Sequence, residues 1–397
     1  MSSNPPPPNV VVLGGGFGGL AAANRLRRLL PPAHAITVID SAARFHVGAG
    51  KPWIMLGEKT RDEISAPRER LLEPGVEFLE TEIRQLDLPG RRVETAAGPR
   101  AWEYLVIALG AELRPEAVPG LAAAQTFYTV AGAEKLRPAL AGFTAGELAL
   151  VIPKTPYKCP AAPWEAAMLL HQHFAGRGLA AAVRLSVYTV EGAPMATAGP
   201  EMGAFIRAEL AARGIGFFPQ KAVARVDDSG RRVEFADGSS VRCDLLICVP
   251  PHEAPAVVRA AQLTGPSGWI PADPQTLEIK SATGAGRVYA IGDVAGVALP
   301  GRYKPDVALS LPKAGTIAEV QGEVVARRIA DQIAGRPPSA TFGGQGFCYL
   351  ETGGGTALRG DGSFFALPHP VMSKQTPSAQ QFADKLAWVA AHLAPRR

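Results

Sequence analysis

The segment Asn9-Val-Val-Val-Leu13-Gly14-Gly15-Gly16-Phe17-Gly18-Gly19 decides the fold class of this 397-residue chain. A short β-branched run leads into a glycine-rich turn, and residues 20–30 are rich in helix formers. A second apolar run then ends in Asp40, about 20 residues after Gly19. A strand, a turn, a helix and a strand in this order predict a βαβ unit at the start of the chain.

The glycine spacing also predicts a dinucleotide site. In this pattern the first glycine makes a tight turn, the second lets the backbone approach a pyrophosphate, and the third allows the helix and strand to pack closely. The helix N-terminus attracts the anion, and an acid at the next strand end accepts hydrogen bonds from a ribose. We therefore predict that Gly14, Gly16, Phe17, Gly19 and Asp40 bind a dinucleotide.

Strands and helices alternate farther along the chain, which predicts an α/β fold with parallel sheets. Residues 147–174 repeat the strand–turn–helix layout of residues 9–30. We therefore predict two Rossmann-like domains of the FAD/NAD(P) type, the second degenerate, and a small C-terminal region. The predicted bounds are 1–113 and 249–335 for a split first domain, 114–248 for an inserted domain, and 336–397 for the C-terminal region.

The second unit has lost its glycines. Its turn reads Pro153-Lys-Thr-Pro-Tyr-Lys-Cys-Pro-Ala-Ala-Pro163, and proline has no N–H and a fixed φ near −65°. Glu191 ends the next strand, where a ribose-binding acid would lie, but without the glycines we expect an exposed loop carboxylate. The inserted domain is therefore predicted to bind NAD(P)H poorly, so another electron donor is needed.

The four cysteines are too few for a disulfide scaffold, and no pair has CxxC spacing. Cys243 and Cys248 flank an apolar strand, so we expect them in the core. Cys159 lies in the turn of the second unit, where an α/β sheet presents reactive groups. The neighbouring helix N-terminus, together with Lys154 and Lys158, predicts a depressed pKa for its thiol.

The run Tyr157-Lys-Cys-Pro-Ala-Ala-Pro-Trp-Glu165 resembles that of sulfide:quinone oxidoreductases and of the flavoprotein subunit of flavocytochrome c sulfide dehydrogenase. The segments 106–111, 288–293, 312–315 and 346–351 also resemble this family, and the resemblance covers nearly the whole chain. It implies FAD in the split domain. The predicted FAD-binding residues are Gly14, Gly16, Phe17, Gly19, Asp40, Pro52, Ile83, Ala108, Gly110, Gly292, Asp293 and Lys313.

The resemblance also implies a reaction. Sulfide, or another small sulfur species such as a persulfide or thiol, would reduce FAD through a Cys159–Cys348 redox pair, with Glu165 as the acid/base. A quinone would accept the electrons. Phe364 and Phe365 could line its site or simply fill a core.

The sequence departs from the family at two places. Three-cysteine relatives carry a further cysteine near residues 126–130, where this chain has Tyr128. This puts in doubt how the sulfur is released and whether sulfide itself is the natural substrate. Flavocytochrome-type subunits attach FAD through a cysteine near residues 45–48, and this chain has none there. We therefore expect noncovalent FAD.

Two other functions remain open. One is a NAD(P)H-dependent quinone or disulfide reductase of the same fold, which the missing glycines disfavour. The other is a flavoprotein electron-transfer subunit that donates to a cytochrome c. The mild net charge of +5, spread along the chain, argues against a nucleic-acid partner, and no residue spacing indicates a metal site.

The C-terminal stripe predicts a helix with one apolar face. It comprises Phe382, Lys385, Leu386, Trp388, Val389, Leu393, Arg396 and Arg397. This face could lie on a membrane interface, on the protein's own domain, or on a second subunit in a homodimer. Residues 1–8 carry no signal-peptide pattern and no apolar run is long enough to span a bilayer, so we expect a cytoplasmic protein that could be peripheral on the membrane.

Overall fold

The computed structural model describes residues 9–279 and 286–396. The N-terminal segment 1–8, on which the expected absence of a signal peptide rests, lies outside these residues. So does Arg397, the last residue of the C-terminal stripe.

The first sheet is built around the first βαβ unit and has five parallel strands. Its order in space is Val288–Ala290, Tyr104–Ile107, Val10–Leu13, Ile36–Asp40 and Glu77–Glu80. The central strand is buried at every position, which explains its continuous apolar sequence. The helices Phe17–Leu29 and Gly315–Ile333 pack so closely that a Cβ at Gly322 would lie 2.4 Å from the carbonyl oxygen of Gly18.

The second sheet has four parallel strands. Its order is Gly216–Phe218, Val183–Thr189, Gly146–Ile152 and Leu245–Cys248. The strand Gly146–Ile152 is followed by the proline-rich turn and the helix Ala162–Gly176, so it repeats the layout of the first unit. The predicted α/β fold with two Rossmann-like units is confirmed. Cys243 and Cys248 are buried, as the sequence predicts.

The C-terminal region contains an antiparallel sheet that the sequence analysis missed. Its strands are Gln345–Gly353, Thr356–Ser363 and Val371–Lys374. Glycines interrupt them, and glycine has a low strand propensity, so the alternation is weak. The predicted C-terminal helix is present as Ala379–Leu393, and its N-cap Ser378 accepts a hydrogen bond from the backbone N–H of Gln381.

The remaining elements are short and connect these layers. Two further antiparallel sheets have three strands each. The strands of one are Ile83–Asp87, Arg92–Thr95 and Gly98–Ala101, and those of the other are Val223–Val226, Arg232–Phe235 and Ser240–Arg242. Two-stranded pairs join Arg44–His46 to Ser65–Pro67, Glu112–Leu113 to His252–Glu253, and Ile270–Pro271 to Ala295–Gly296. The other α-helices are Lys51–Leu56, Arg68–Leu71, Val130–Gly142, Pro200–Ala212 and Ala256–Ala260.

The helical part of the C-terminal stripe packs against the protein's own core, whereas Arg396 is exposed. Lys385 is 0% exposed and Val389 is 4% exposed, and the Trp388 ring stacks on Phe17 at 5.6 Å between centroids. A membrane-facing position for Lys385 is therefore wrong, because two buried carboxylates hold this side chain inside the protein. Among the described residues, no helix is both long enough and apolar enough to cross a membrane.

The first glycine turn has no room for a side chain at Gly19, because a Cβ there would lie 1.9 Å from the carbonyl oxygen of Gly14. We expect Gly19→Ala to lower the free energy of unfolding by about 3 kcal/mol or more, since the backbone itself must move. The control is Gly142→Ala at the exposed end of the helix Val130–Gly142, where a Cβ would meet nothing within 4 Å. That variant should stay within about 1 kcal/mol of the parent. Urea unfolding followed by circular dichroism measures both, and equal stabilities would contradict the expectation.

Candidate active site

Three neighbouring cavities lie along the predicted cofactor-binding residues. The glycine-turn cavity measures about 360 Å³, the central cavity about 470 Å³ and the outer cavity about 300 Å³. Gly16 and Arg68 line both of the first two, and Lys313, Phe347 and Cys348 line both of the last two. The cavities therefore lie in a row from the first glycine turn to the C-terminal sheet.

Most of the predicted cofactor residues line this row. Gly14, Gly16, Asp40, Ile83, Ala108 and Gly110 line the glycine-turn cavity. Gly16, Phe17, Pro52, Asp293 and Lys313 line the central cavity. Gly19 lies inside the turn, against Gly14, and Gly292 adopts a φ of +69° while its N–H donates to Gln321 Oε1 at 2.7 Å.

The glycine-turn cavity has a charged edge that the sequence analysis only partly identified. Asp40 Oδ2 accepts a hydrogen bond from the N–H of Gly15 at 2.8 Å and lies 3.2 Å from Arg68 Nη2. Arg68 is buried and also donates to the carbonyl of Gly15 at 2.9 Å. A Cβ at Gly16 would meet nothing within 4 Å, so the backbone is open to the cavity. This edge suits an anionic pyrophosphate, with the Arg68 cation beside the turn.

Two buried lysines lie at the central cavity. Lys313 Nζ donates to the carbonyl of Asp293 at 2.5 Å and lies 3.4 Å from the centre of the Trp269 ring. Burial lowers the pKa of Lys313 to about 8. Lys51, which the sequence analysis missed, donates to the carbonyl of Tyr128 at 2.6 Å, and burial lowers its pKa to about 7. The cavity wall therefore offers amines whose charge responds to a neighbouring anion.

Two polar atoms at the central cavity lack a hydrogen-bond partner. His46 Nε2 and Tyr128 Oη are both buried and without a partner among the described residues. A buried polar atom without a hydrogen-bond partner is costly, so a ligand or a water molecule usually supplies the missing hydrogen bond. Together with the open Gly16 backbone and the two lysines, these atoms fit a bound dinucleotide with a polar aromatic head group.

The central cavity brings together the two predicted redox cysteines. Cys159 and Cys348 both line it, and both are half-buried free thiols. Cys159 has a φ of +55°, and its N–H donates to the carbonyl of Lys313 at 2.7 Å. The proline-rich turn therefore holds the cysteine against the segment that carries the predicted flavin-binding lysine.

The predicted low pKa of the Cys159 thiol is wrong. Burial raises its pKa to about 11, and the charge of Glu165 raises it further, which outweighs the opposite effects of Lys51 and Lys385. The two lysines named from the sequence do not reverse this effect, although Lys158 does interact with Cys159. Lys154 lies 3.6 Å from Glu253, and Lys158 is itself buried, which lowers its own pKa.

Glu165 reaches the same cavity from the helix Ala162–Gly176. Its Oε1 lies 2.5 Å from Lys385 Nζ on the C-terminal helix, and both side chains are almost fully buried. Burial raises the pKa of Glu165 to about 7. A carboxyl group with a pKa near neutrality beside two thiols can hold or release a proton there.

The aromatic residues divide between a cavity and the core. Phe364 lines the outer cavity together with Cys348, whereas Phe365 packs against Phe342 with ring centroids 5.4 Å apart. Trp388, whose helical spacing had pointed only to an amphipathic face, lines the central cavity. The helical spacing of the apolar residues did include Trp388. This periodicity alone does not show which part of the protein the apolar face of the helix contacts.

Glu191 is not an exposed loop carboxylate. It is half-buried, accepts a hydrogen bond from Tyr157 Oη at 2.8 Å, and lies in the wall of the outer cavity. The carboxylate of Glu191 is thus hydrogen-bonded to a residue of the proline-rich turn. In the ranges 9–279 and 286–396, no group of three histidine, cysteine or acidic residues could hold a metal ion.

The chain is similar to known proteins over most of its length. Mouse mitochondrial sulfide:quinone oxidoreductase is 24% identical over 364 residues, which cover 87% of this chain and 76% of the relative. The crystal structure of the sulfide:quinone oxidoreductase of Aquifex aeolicus superposes with a TM-score of 0.84 at 21% identity, covering 97% of this chain and 90% of that one. A NAD-dependent persulfide reductase from A. fulgidus gives a TM-score of 0.67 at 20% identity, covering 96% and 66%.

The family model named pyridine nucleotide-disulphide oxidoreductase matches residues 8–321, which is most of the chain. The predicted resemblance is confirmed, and flavin is the cofactor that the family and the structural neighbours imply. The chain belongs to the pyridine nucleotide-disulphide oxidoreductase family and is a flavin-dependent oxidoreductase.

Proposed function

We propose that this protein oxidises sulfide, or a small persulfide or thiol, through Cys159 and Cys348 and passes the electrons through noncovalent FAD to a quinone. The observation that carries the proposal is the position of both thiols on one cavity wall with Asp293 and Lys313. Two similar proteins, from mouse and from Aquifex aeolicus, are named as sulfide:quinone oxidoreductases, which supports the proposal.

FAD, when bound, would accept two electrons from the sulfur site and deliver them to the acceptor. The open Gly16 backbone and Arg68 would hold its pyrophosphate, and Asp40 would accept from its ribose. His46 and Tyr128 offer the unpartnered polar atoms at the central cavity. Noncovalent binding is supported by the absence of cysteine at residues 45–48, since this segment borders the same cavity.

The sulfur step uses the chain's own residues. In the proposed reaction, HS⁻ attacks one sulfur of a Cys159–Cys348 disulfide, the S–S bond breaks, one cysteine becomes a persulfide and the other leaves as a thiolate. Lys51 and Lys385 favour negative charge on Cys159. Overall, HS⁻, a quinone and one proton give sulfane sulfur and a quinol, so two electrons are transferred.

Two observations disfavour NAD(P)H as the donor. The second turn carries prolines where a pyrophosphate needs backbone N–H groups, and one of its residues, Tyr157, already binds the Glu191 carboxylate. Phe364 is retained as the candidate quinone contact because it lines a cavity beside Cys348. Phe365, a homodimer and contact with a membrane surface stay predictions.

Cys159→Ser should slow anaerobic reduction of the flavin by sulfide at least about 100-fold, because the hydroxyl cannot form the disulfide that sulfide attacks. Stopped-flow absorbance of the flavin measures the rate. Cys243→Ser is the matched control, since it makes the same substitution at a buried cysteine of the second sheet. Bleaching of Cys159→Ser at the parental rate would refute the proposed role.

The thiolate of Cys159 should form only at high pH in the reduced protein, because burial raises the pKa of its thiol to about 11. Its alkylation by iodoacetamide should therefore accelerate by about tenfold per pH unit between pH 7 and 10. Peptide mass spectrometry of the intact flavoprotein after timed alkylation reports the rate at this residue. A rate that levels off below pH 8 would show instead the low pKa that the sequence indicates.

A further inference from the structure

A buried ion cluster joins the C-terminal helix to both cysteine-bearing segments. Lys385 Nζ lies 2.5 Å from Glu165 Oε1 and also donates to Glu351 Oε1. The three side chains are at most 5% exposed. The indole N–H of Trp53 donates to the same oxygen of Glu351 at 2.8 Å, and its ring lies 4.8 Å from the lysine nitrogen.

The charges of this cluster do not balance when all three groups are ionised. One ammonium faces two carboxylates, which leaves a net negative charge in a region shielded from water. A buried charge without a partner is expensive, so one of the carboxyls retains a proton near neutral pH. The two carboxyl groups therefore compete for the charge of one lysine.

The hydrogen bonds indicate which carboxyl is protonated. Among the described residues, Glu351 accepts from two side-chain donors, Lys385 and Trp53, whereas Glu165 accepts from Lys385 alone. Donors to a carboxylate favour its ionised form, so Glu351 is the better place for the negative charge. Burial, and then the charge of Glu351, raise the pKa of Glu165 to about 7, although Lys385 acts in the opposite direction.

Other titratable groups face the cluster from each packed element. Besides Lys385 and Glu351, Glu165 interacts with Cys159 on the turn before its own helix, Cys348 on the strand Gln345–Gly353 and Tyr128 before the helix Val130–Gly142. Glu58, after the helix Lys51–Leu56, faces Glu351, Lys385 and Lys59. Burial alone lowers the pKa of Lys385, but the two carboxylates outweigh it and the pKa is raised, so the lysine stays charged.

We propose that Glu351 is a positioning residue for the sulfur site: by sharing Lys385 with Glu165 it keeps one proton in the cluster, and Glu165 carries that proton at the wall of the central cavity. The role in turnover rests on the proposed function, whereas the charge balance does not. When disulfide cleavage forms a thiolate, Glu165 gives its proton to the sulfur and becomes a carboxylate paired with Lys385. It takes the proton back when that sulfur gives up its electron pair towards the flavin, so no proton is gained or lost in the cluster.

Glu351→Gln tests the charge balance with a minimal change of shape, because the amide oxygen still accepts from Trp53 and Lys385. Glu165 is then the one carboxylate that the charge of Lys385 faces in the cluster, and it should ionise at a pH at least about one unit lower than in the parent. Infrared difference spectra of the oxidised flavoprotein, recorded between pH 4 and 9 without a sulfur substrate, follow the C=O band of the protonated carboxyl. A band that titrates in Glu351→Gln as in the parent overturns the proposal.

Two further variants complete the infrared experiment. Glu165→Asp should shift the frequency of the titrating C=O band, whereas Glu351→Asp should leave that frequency unchanged. The reverse result would place the proton on Glu351 and overturn the assignment. Glu319→Gln is the control, because Glu319 binds His392 on the same C-terminal helix at 3.2 Å without contacting the cluster. It should reproduce the parental titration.

The pH dependence of flavin reduction by sulfide links the cluster to turnover. With each rate divided by the concentration of HS⁻ at that pH, the remaining midpoint should fall by about one unit or more in Glu351→Gln and stay unchanged in Glu319→Gln. A purely structural role for Glu351 would lower the rate at every pH without moving the midpoint, which would contradict positioning. If sulfide fails to reduce even the parent while the infrared shift is seen, the proposed function fails and the charge balance stands.

Discussion

One buried lysine fixes the geometry on which the active site depends. Lys385 comes from the C-terminal helix and binds Glu165, on the helix after the Cys159 turn, and Glu351, on the strand that carries Cys348. A charge in the interior requires partners at close range, so the three segments cannot separate without leaving that charge unpaired. The two thiols, which are far apart in sequence, are thereby held at one cavity.

The second Rossmann-like unit shows how the same layout serves a different purpose. In the first unit, glycines leave the backbone open to the cavity, whereas in the second, prolines close the turn and Tyr157 binds Glu191. What the second turn presents is Cys159, whose N–H is bonded to the carbonyl of Lys313. The turn that corresponds to the glycine turn of the first unit therefore supports a thiol at the central cavity.

The parts of the fold that follow from local sequence were predictable. The glycine turn, the repeated unit and the C-terminal helix all carry a periodic or steric signal within a short window. The resemblance, rather than spacing, linked Cys159 with Cys348. The pKa of Cys159, the partners of Glu191 and the burial of Lys385 were not predictable, because each depends on residues that only the folded chain brings near. A lysine in an amphipathic helix normally indicates a solvent-facing side, and only the two distant carboxylates reverse that expectation.

In the proposed function, sulfur and not a nicotinamide reduces the flavin of this protein. Parallel anaerobic titrations of the purified yellow protein with sulfide and with NADH test it most directly, with the flavin absorbance as the readout. We expect about one equivalent of sulfide to bleach the flavin, and we expect NADH to reduce the flavin at least about 100-fold more slowly. Rapid bleaching by NADH with no effect of sulfide would contradict it.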